Sequence, residues 1–155
     1  MAGQIVIEAA WSNDAPAILD LQKLAYQSEA LIYGDFSLPP LTETLEDLRA
    51  EFVRKLVLKI VVNGTLAGSV RGWQDEDTAY LERLMVHPAS QGRGLGTMLV
   101  CRFEASFPKA RRIELFTGDR SKLNLKLCAG LGYRQYKQEP VRPGLTLIYL
   151  EKRRG

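Results

Sequence analysis

The sequence is poor in the residues that build metal centres and disulfide frameworks. Its 155 residues include one histidine, His87, and two cysteines, Cys101 and Cys128. A lone histidine argues against a multi-histidine metal centre. Two cysteines in separate helix-like segments, with no Cys-x-x-Cys pair, favour reduced thiols over a disulfide framework or a zinc site. We therefore expect no metal cofactor and a cytoplasmic protein.

Long apolar runs are also missing. No stretch reaches about 18 apolar residues, so we expect no membrane-spanning segment and no membrane partner. Residues 1–11 lack a basic start and meet Glu8 early, which argues against a secretory signal. With 46% apolar and 25% charged residues and no linker or repeat, the chain is typical of a globular protein. Its length predicts one domain over residues 1–155.

Neither sign of charge is in large excess. The net charge is +3, and Lys152, Arg153 and Arg154 supply as many charges as the whole excess. Ordinary solubility accounts for this best, and a rim that receives a polyanionic cofactor accounts for it as well. A basic nucleic-acid-binding module is the third alternative. It is the weakest, because the sequence lacks a patch of interleaved aromatic and basic residues.

Hydrophobic periodicity predicts four helices and seven strands. The first helix follows cap residues 12–14 and is broken by Tyr33–Pro40; the second is Glu43–Val53, capped by Thr42. Two more, Gly94–Phe107 and Ser121–Leu131, carry apolar stripes at helical spacing. Alternating or β-branched segments read as strands: Gln4–Glu8, Lys55–Val62, Thr65–Trp73, Thr78–His87, Arg112–Thr117, Tyr133–Gln138 and Leu145–Glu151.

The most informative stretch is residues 81–98. An apolar run at residues 84–86 leads through a turn at Pro88 into the glycine-rich residues 91–96, where a helix pattern starts. Glycines let the backbone approach a ligand closely, and the first-turn N–H groups of a helix have no partner within it. The helix start also carries about half a positive charge, and Arg93 adds a cation. This arrangement is suited to binding a phosphate.

The glycines do not fit the dinucleotide-binding pattern G-x-G-x-x-G, and no Lys-Ser/Thr pair follows as in a mononucleotide-binding loop. They match Gln/Arg-x-x-Gly-x-Gly/Ala at Gln91, Gly94 and Gly96, preceded by Val86-His87-Pro88. The segment resembles the signature of the GCN5-related N-acetyltransferases (GNAT), the family that moves an acetyl group from acetyl-CoA to an amine. A glycine-rich turn without a ligand is the alternative.

The resemblance implies an α/β, or α+β, fold of a single domain. A mixed, mainly antiparallel central sheet would be flanked by about four helices, and the predicted order β-α-α-β-β-β-α-β-α-β-β is that of the family. In that fold the sheet splays apart after the strand that precedes the glycine-rich turn, and the cofactor lies in the gap. Many relatives pair into homodimers through their closing strands, which leaves a homodimer open here.

The resemblance also assigns the cofactor-binding residues, with acetyl-CoA as co-substrate. Backbone groups of residues 84–86 would pair with the pantetheine arm, and the amides of residues 91–97 would hold the pyrophosphate. The N–H near Val86 is the expected oxyanion donor. On the later helix Ser121 and Asn124 would contact the cofactor, with an exposed helix amide as the alternative for Asn124. The full set is Leu84, Met85, Val86, Gln91, Gly92, Arg93, Gly94, Leu95, Gly96, Thr97, Ser121 and Asn124.

Two side chains are catalytic candidates. Cys128 stands where many relatives have a tyrosine, five residues before the Gly132-Tyr133 pair. A reference thiol is a stronger acid than a phenol, so Cys128 could protonate the departing thiolate; a small buried hydrophobe is the alternative. Glu82 is the candidate base, expected by strand alternation on the same face as Leu84 and Val86. A structural charge beside Arg83 is its alternative.

Acceptor recognition is expected from the least regular segments, through Tyr33, Asp35 and Trp73. Aromatic and acidic side chains together suit a cationic amine, which points to a small amine or a peptide as acceptor. The sequence thus predicts an N-acetyltransferase that works by direct attack in a ternary complex. A non-catalytic acyl-CoA-binding or sensor domain of the same fold is the alternative, because the family's tyrosine is missing.

Overall fold

Seven strands form one sheet in the computed structural model, which describes residues 3–155. The strands are β1 (Ile5–Ala9), β2 (Leu56–Val62), β3 (Thr65–Asp75), β4 (Thr78–Val86), β5 (Arg112–Gly118), β6 (Arg134–Arg142) and β7 (Leu145–Arg153). The helices are α1 (Ala15–Ala25), α2 (Gln27–Tyr33), α3 (Pro39–Thr42), α4 (Leu45–Arg54), α5 (Leu95–Ser106) and α6 (Lys122–Gly130). Within residues 3–155, no helix combines the length and apolar character needed to cross a lipid bilayer.

The sheet has the order β1-β2-β3-β4-β5-β7-β6. Neighbouring strands are antiparallel except β4 and β5, whose parallel pairing runs only from Thr78↔Arg112 to Tyr80↔Glu114. Beyond that point the two strands separate. The predicted mixed, mainly antiparallel sheet is confirmed, and so is the gap between the strand before the glycine-rich turn and the next one.

Apolar side chains pack on both faces of the sheet. On one face α5 buries Leu95, Leu99 and Phe103, which confirms the stripe predicted for this helix. On the other face α1 and α4 contribute Ile18 and Leu48. The stripe predicted for α6, which consists of Leu123, Leu127 and Leu131, is wrong at Leu123, which is 74% exposed. Because α6 begins at the mouth of a cleft, its buried contact with the core comes later, at Cys128.

Three boundaries differ from the predicted ones. Thr44, not Thr42, caps α4, with Asp47 completing a capping box; Thr42 instead ends the short helix α3. The first predicted helix is divided into α1 and α2 on either side of Tyr26, and the predicted break at Tyr33–Pro40 already contains the start of α3. Helix α2 stops where Gly34 adopts a φ of +62°. Strand β6 extends past Pro140, which an edge strand tolerates because proline lacks only one ladder donor.

A β-bulge interrupts β4 in the middle of the sheet. Between the pairs Arg71↔Glu82 and Ser69↔Met85, one residue of β3 faces two of β4, and Arg83 adopts a left-handed φ of +53°. The extra residue reverses the alternation of side chains. Leu84 packs with the α5 core, and Met85 packs with the α1–α4 core. The expectation that Glu82 shares a face with Leu84 and Val86 is therefore wrong.

Glu82 belongs to a charged network on the α1–α4 face. Arg71, only 3% exposed, donates to Glu82 and forms a two-pronged pair with Glu43, while Lys55 pairs with Glu82 at 2.5 Å. Burial alone would raise the pKa of Glu43, but the bonds from Arg71 and Gln22 outweigh it and lower that pKa. The network thus joins β3 and β4 to the start of α4.

Glu43→Gln is expected to lower the free energy of unfolding at pH 7 by about 3 kcal/mol, because it leaves the buried Arg71 short of an anionic partner. The pKa of Glu43 is lowered in the folded protein. Its contribution is therefore complete above the unfolded-state pKa of about 4.3 and is lost as pH falls through the folded pKa. Urea unfolding at several pH values between 7 and 3 measures the difference.

The matched control is Glu46→Gln, an exposed carboxylate in the first turn of the same helix. It should change the unfolding free energy by less than about 0.5 kcal/mol. A Glu43→Gln difference that stayed constant down to pH 3 would contradict the role assigned to its charge.

Candidate functional site

The glycine-rich turn places the start of α5 beside the open end of β4. Gly92 and Gly94 both adopt a φ of +79°, which explains glycine at these positions. Gly96 is needed for another reason, since a Cβ there would lie 3.2 Å from the side chain of Leu127 on α6. α5 and α6 therefore approach closely, and the N-terminal ends of both helices open into one cleft.

This cofactor cleft has a volume of about 980 Å³ and is also lined by α1 and α2. Every predicted cofactor residue lines it except Arg93, which is exposed on the turn. Ser121 is buried, and Asn124 is half-buried rather than the exposed helix amide of the alternative. The structure thus brings the following together: Leu84, Met85, Val86, Gln91, Gly92, Gly94, Leu95, Gly96, Thr97, Ser121 and Asn124.

The end of β4 offers an unpaired strand edge to the cleft. One edge of β4 pairs with β3 as far as Val86, but the other has no strand partner after Tyr80 within residues 3–155. Tyr26 reaches across from α1 and donates a hydrogen bond to the carbonyl of Leu84 at 3.4 Å. An extended ligand could add to this edge as a further strand would.

A second cavity, of about 450 Å³, lies between the separated strands and is mostly apolar. It is called the acceptor cavity below. Glu82, Cys128 and Tyr33 all line it, together with Arg83, which the sequence reading did not single out. The two cavities are continuous, because five residues line both: Tyr26, Glu29, Leu84, Ser121 and Asn124.

Two predicted acceptor residues are not brought to this cavity. Asp35 pairs with Arg142 at 2.8 Å and accepts bonds from Ser37. Trp73 stacks on Tyr80 with ring centroids 5.1 Å apart, and the ammonium of Lys55 lies over its ring. The side chains of Asp35 and Trp73 therefore contact other residues of the fold and do not line the acceptor cavity. These contacts depend on strand register and could not be seen from composition.

Glu29 is a site residue that sequence reasoning missed. Its carboxylate accepts a 2.6 Å hydrogen bond from the Ser121 hydroxyl, across 92 positions of sequence. Beside it, burial raises the pKa of Tyr26 to about 12, with the charges of Arg83, Glu29, Arg71 and Glu82 acting on the same phenol. These groups therefore form one cluster around Tyr26. No local pattern marks Glu29, because only the packing of α2 on the start of α6 gives it this place.

The Cys128 thiol is 1% exposed, and burial raises its pKa to about 11. The expectation that it is a stronger acid than a tyrosine rested on the reference value and is wrong for the buried group. The two tyrosines that follow α6 are directed elsewhere. Tyr133 donates to Glu104, and Tyr136 donates to Glu114; neither tyrosine lines the acceptor cavity.

Two of the three basic C-terminal residues, Lys152 and Arg154, are engaged within the fold. Lys152 pairs with Glu104 at 3.2 Å, and Arg154 donates to the carbonyls of Glu104, Phe107 and Ala110. These contacts count against a nucleic-acid surface built on this segment. Within residues 3–155, no group of three or more His, Cys, Asp or Glu side chains is arranged to hold a metal ion.

Comparison with known proteins finds a match to the family model described as the acetyltransferase (GNAT) family, over residues 16–133. No curated protein matches the sequence. Similar solved structures include the PaiA N-acetyltransferase of Thermoplasma acidophilum in complex with coenzyme A, with 17% identity and a TM-score of 0.81 over 97% of this chain and 99% of that one.

Two further structures have the same fold. The ribosomal-protein-S18-alanine N-acetyltransferase of Escherichia coli has 18% identity and a TM-score of 0.80 over 97% of this chain and 94% of that one. The yncA protein of Salmonella typhimurium, solved with its cofactor acetyl-CoA, has 24% identity and a TM-score of 0.76 over 96% of this chain and 93% of that one.

Iodoacetamide should modify Cys128 at least 100-fold more slowly than Cys101 in the native protein, because Cys101 is exposed and Cys128 is buried. With its pKa raised to about 11, the thiolate fraction of Cys128 is roughly one part in a thousand at pH 8 and grows about tenfold per pH unit. Peptide mass spectrometry between pH 7 and 9 measures both rates. Equal rates at the two cysteines would contradict the raised pKa, and Cys101→Ser checks the assignment of the slow phase.

Proposed function

Because this chain belongs to the GNAT acetyltransferase family, we propose that it transfers the acetyl group of acetyl-CoA to a primary amine by direct attack in a ternary complex. The observation that carries the proposal is the meeting of two cavities at the open edge of β4. One cavity presents helix N-termini to an anion, and the other is an apolar chamber with a few charged groups. Residues 1–155 would act as one catalytic domain.

In the proposed complex, acetyl-CoA lies in the cofactor cleft with its pyrophosphate at α5 and its thioester toward the acceptor cavity. Its pyrophosphate would lie against the free N–H groups at the start of α5, where backbone donors and the helix dipole favour an anion. The pantetheine arm would run along Leu84–Val86 as an added strand, which brings the thioester to the junction with the acceptor cavity. The N–H near Val86 would then stabilise the developing oxyanion. The PaiA and yncA structures, solved with coenzyme A and acetyl-CoA, support this choice of cofactor.

The amine would enter from the acceptor cavity, past Tyr33, and meet the thioester at the shared residues. Holding the two reactants together supplies several kcal/mol of the barrier without a covalent enzyme intermediate. A small amine or the end of a peptide fits a chamber of about 450 Å³. An S18 alanine is the acceptor named for the Escherichia coli structure; here the acceptor is proposed only as a primary amine.

Attack requires a neutral amine, so the ammonium proton must leave first. Two carboxylates line the acceptor cavity. Glu82 already binds Lys55 and Arg71 through one oxygen, whereas Glu29 accepts a single bond from a hydroxyl. We therefore propose Glu29 beside Glu82 as a proton acceptor, directly or through water. Cys128 serves as an apolar wall, and the thiolate leaves without a proton from it.

The central test combines calorimetry with acetyl-CoA and a thiol-release assay over amino acids, polyamines, aminoglycosides and peptide N-termini. Gly94→Asp should lower acetyl-CoA affinity at least 100-fold, because a carboxylate would stand where the phosphates bind. The matched control is Gly64→Asp, since Gly64 has nearly the same φ of +80° but lies in the β2–β3 hairpin. It introduces the same backbone strain and should leave affinity unchanged.

The assay also distinguishes catalysis from the alternative of a non-catalytic sensor domain. That alternative is favoured by Cys128, which stands where many relatives have a tyrosine. Heat of binding without thiol release over the whole panel would support the sensor. No heat with either acetyl-CoA or coenzyme A would overturn both functions. Equal loss in Gly94→Asp and Gly64→Asp would show strain rather than phosphate repulsion.

Glu29→Gln should lower kcat/KM at least tenfold at pH 6.5 and less at pH 9, where more of the amine is already neutral. Its melting temperature should stay close to wild type, because only a hydroxyl contact is lost. Glu82→Gln should in addition lower the melting temperature by about 2–6 °C, since it removes the shared partner of Lys55 and Arg71. A pH-independent loss in both variants would contradict proton transfer to either carboxylate.

A further inference from the structure

Arg83 occupies the acceptor cavity in an unusual state. Its guanidinium forms no ion pair with any residue in 3–155, and its Nε is buried without a hydrogen-bond partner. Leaving a buried charged donor unpaired costs more than a typical hydrogen bond contributes. Of the other long basic side chains around this site, Arg71 and Lys55 are both neutralised by carboxylates. The positive charge of Arg83 therefore has no anionic partner among residues 3–155, and a bound anion could supply one.

The backbone conformation of Arg83 is also strained. It is a non-glycine residue at a φ of +53°, at the centre of the β4 bulge. This conformation is strained for an ordinary residue by roughly 1 kcal/mol and concentrates at functional sites. The bulge follows Glu82, two residues beyond Tyr80, the last residue of β4 that pairs with β5. Arg83 therefore lies where the two strands have separated, and it lines the cavity between them.

The anion cannot be a phosphate of the cofactor in the proposed arrangement. Arg83 lines the acceptor cavity and does not line the cofactor cleft, whose own donors are the amides of the glycine-rich turn. The acceptor cavity also holds Glu29, whose carboxylate accepts a hydrogen bond from the Ser121 hydroxyl and forms no ion pair within residues 3–155. An apolar chamber with one free cation and one free anion among its described residues is complementary to a ligand that carries both charges.

We propose that the acceptor amine bears an oxyanion group, a carboxylate or a phosphonate, which the guanidinium of Arg83 binds while Glu29 receives the ammonium. This inference rests on the proposed transfer of acetyl to an amine and names its substrate class. A guanidinium binds such oxyanions through paired, charge-assisted hydrogen bonds. Acceptors in which the anion is masked lose that bond and leave Arg83 unpaired, so selectivity is the direct readout.

The test compares matched acceptors in the thiol-release assay. Each L-amino acid is paired with its carboxamide, and aminoalkylphosphonates are paired with the corresponding alkylamines. Wild type should favour the anionic member of at least one pair by about 10- to 100-fold in kcat/KM. The preferred pair distinguishes a carboxylate from a phosphonate. The proposal would be overturned if no pair showed a preference or if no anionic acceptor were used. The proposed acetyl transfer would still hold if amines without an anionic group were acetylated.

Two variants tie the preference to Arg83. Arg83→Asn removes the cation with a residue that tolerates a left-handed φ, and it should bring the selectivity ratio to near one while acetyl-CoA affinity by calorimetry is unchanged. Arg83→Lys should restore part of the ratio, because it keeps the charge but not the paired donors. The control Arg49→Asn removes an exposed arginine of α4 and should leave the ratio as in wild type. An equal loss on both members of a pair in Arg83→Asn would show a structural role only and would overturn the proposal.

Discussion

The separation of β4 from β5 after three residue pairs is the constraint on which the rest of the structure depends. A parallel pair that continued would have satisfied the edge of β4 and closed the sheet. Because pairing stops at Tyr80, this edge of the backbone beyond it has no strand partner within residues 3–155, and the space between the strands forms the acceptor cavity. The start of α5 is placed at the end of the same strand, so β4 positions both the cofactor cleft and the acceptor cavity.

The bulge at Arg83 links this separation to the charged network. Glu82, before the bulge, contacts Arg71 and Lys55 on the α1–α4 face, and the bulge sends Leu84 to the opposite face. The network holds Glu82 through two cations, whereas Glu29 on α2 has a single hydroxyl partner. The two carboxylates that line the acceptor cavity are accordingly held to different extents.

Much of the fold follows from local sequence. The Asn63-Gly64 pair predicts a two-residue hairpin, and both residues have the positive φ that such a turn requires. The stripe of Leu95, Leu99 and Phe103 predicts the buried face of α5. Two local predictions were wrong because of neighbouring elements. Thr42 belongs to the short helix α3 instead of capping α4, and Leu123 lines the cofactor cleft instead of packing in the core.

The sequence by itself determined the unit of strand, glycine-rich turn and helix start, because these parts follow one another in residues 78–98 and need no distant partner. Only the tertiary structure decided the acceptor side. The bulge breaks the side-chain alternation from which the face of Glu82 was predicted. Strand register stacks Trp73 on Tyr80 and not in the acceptor cavity, and Glu29 bonds Ser121 across 92 positions of sequence. Such contacts depend on how separate elements pack together, and no short pattern in one segment encodes them.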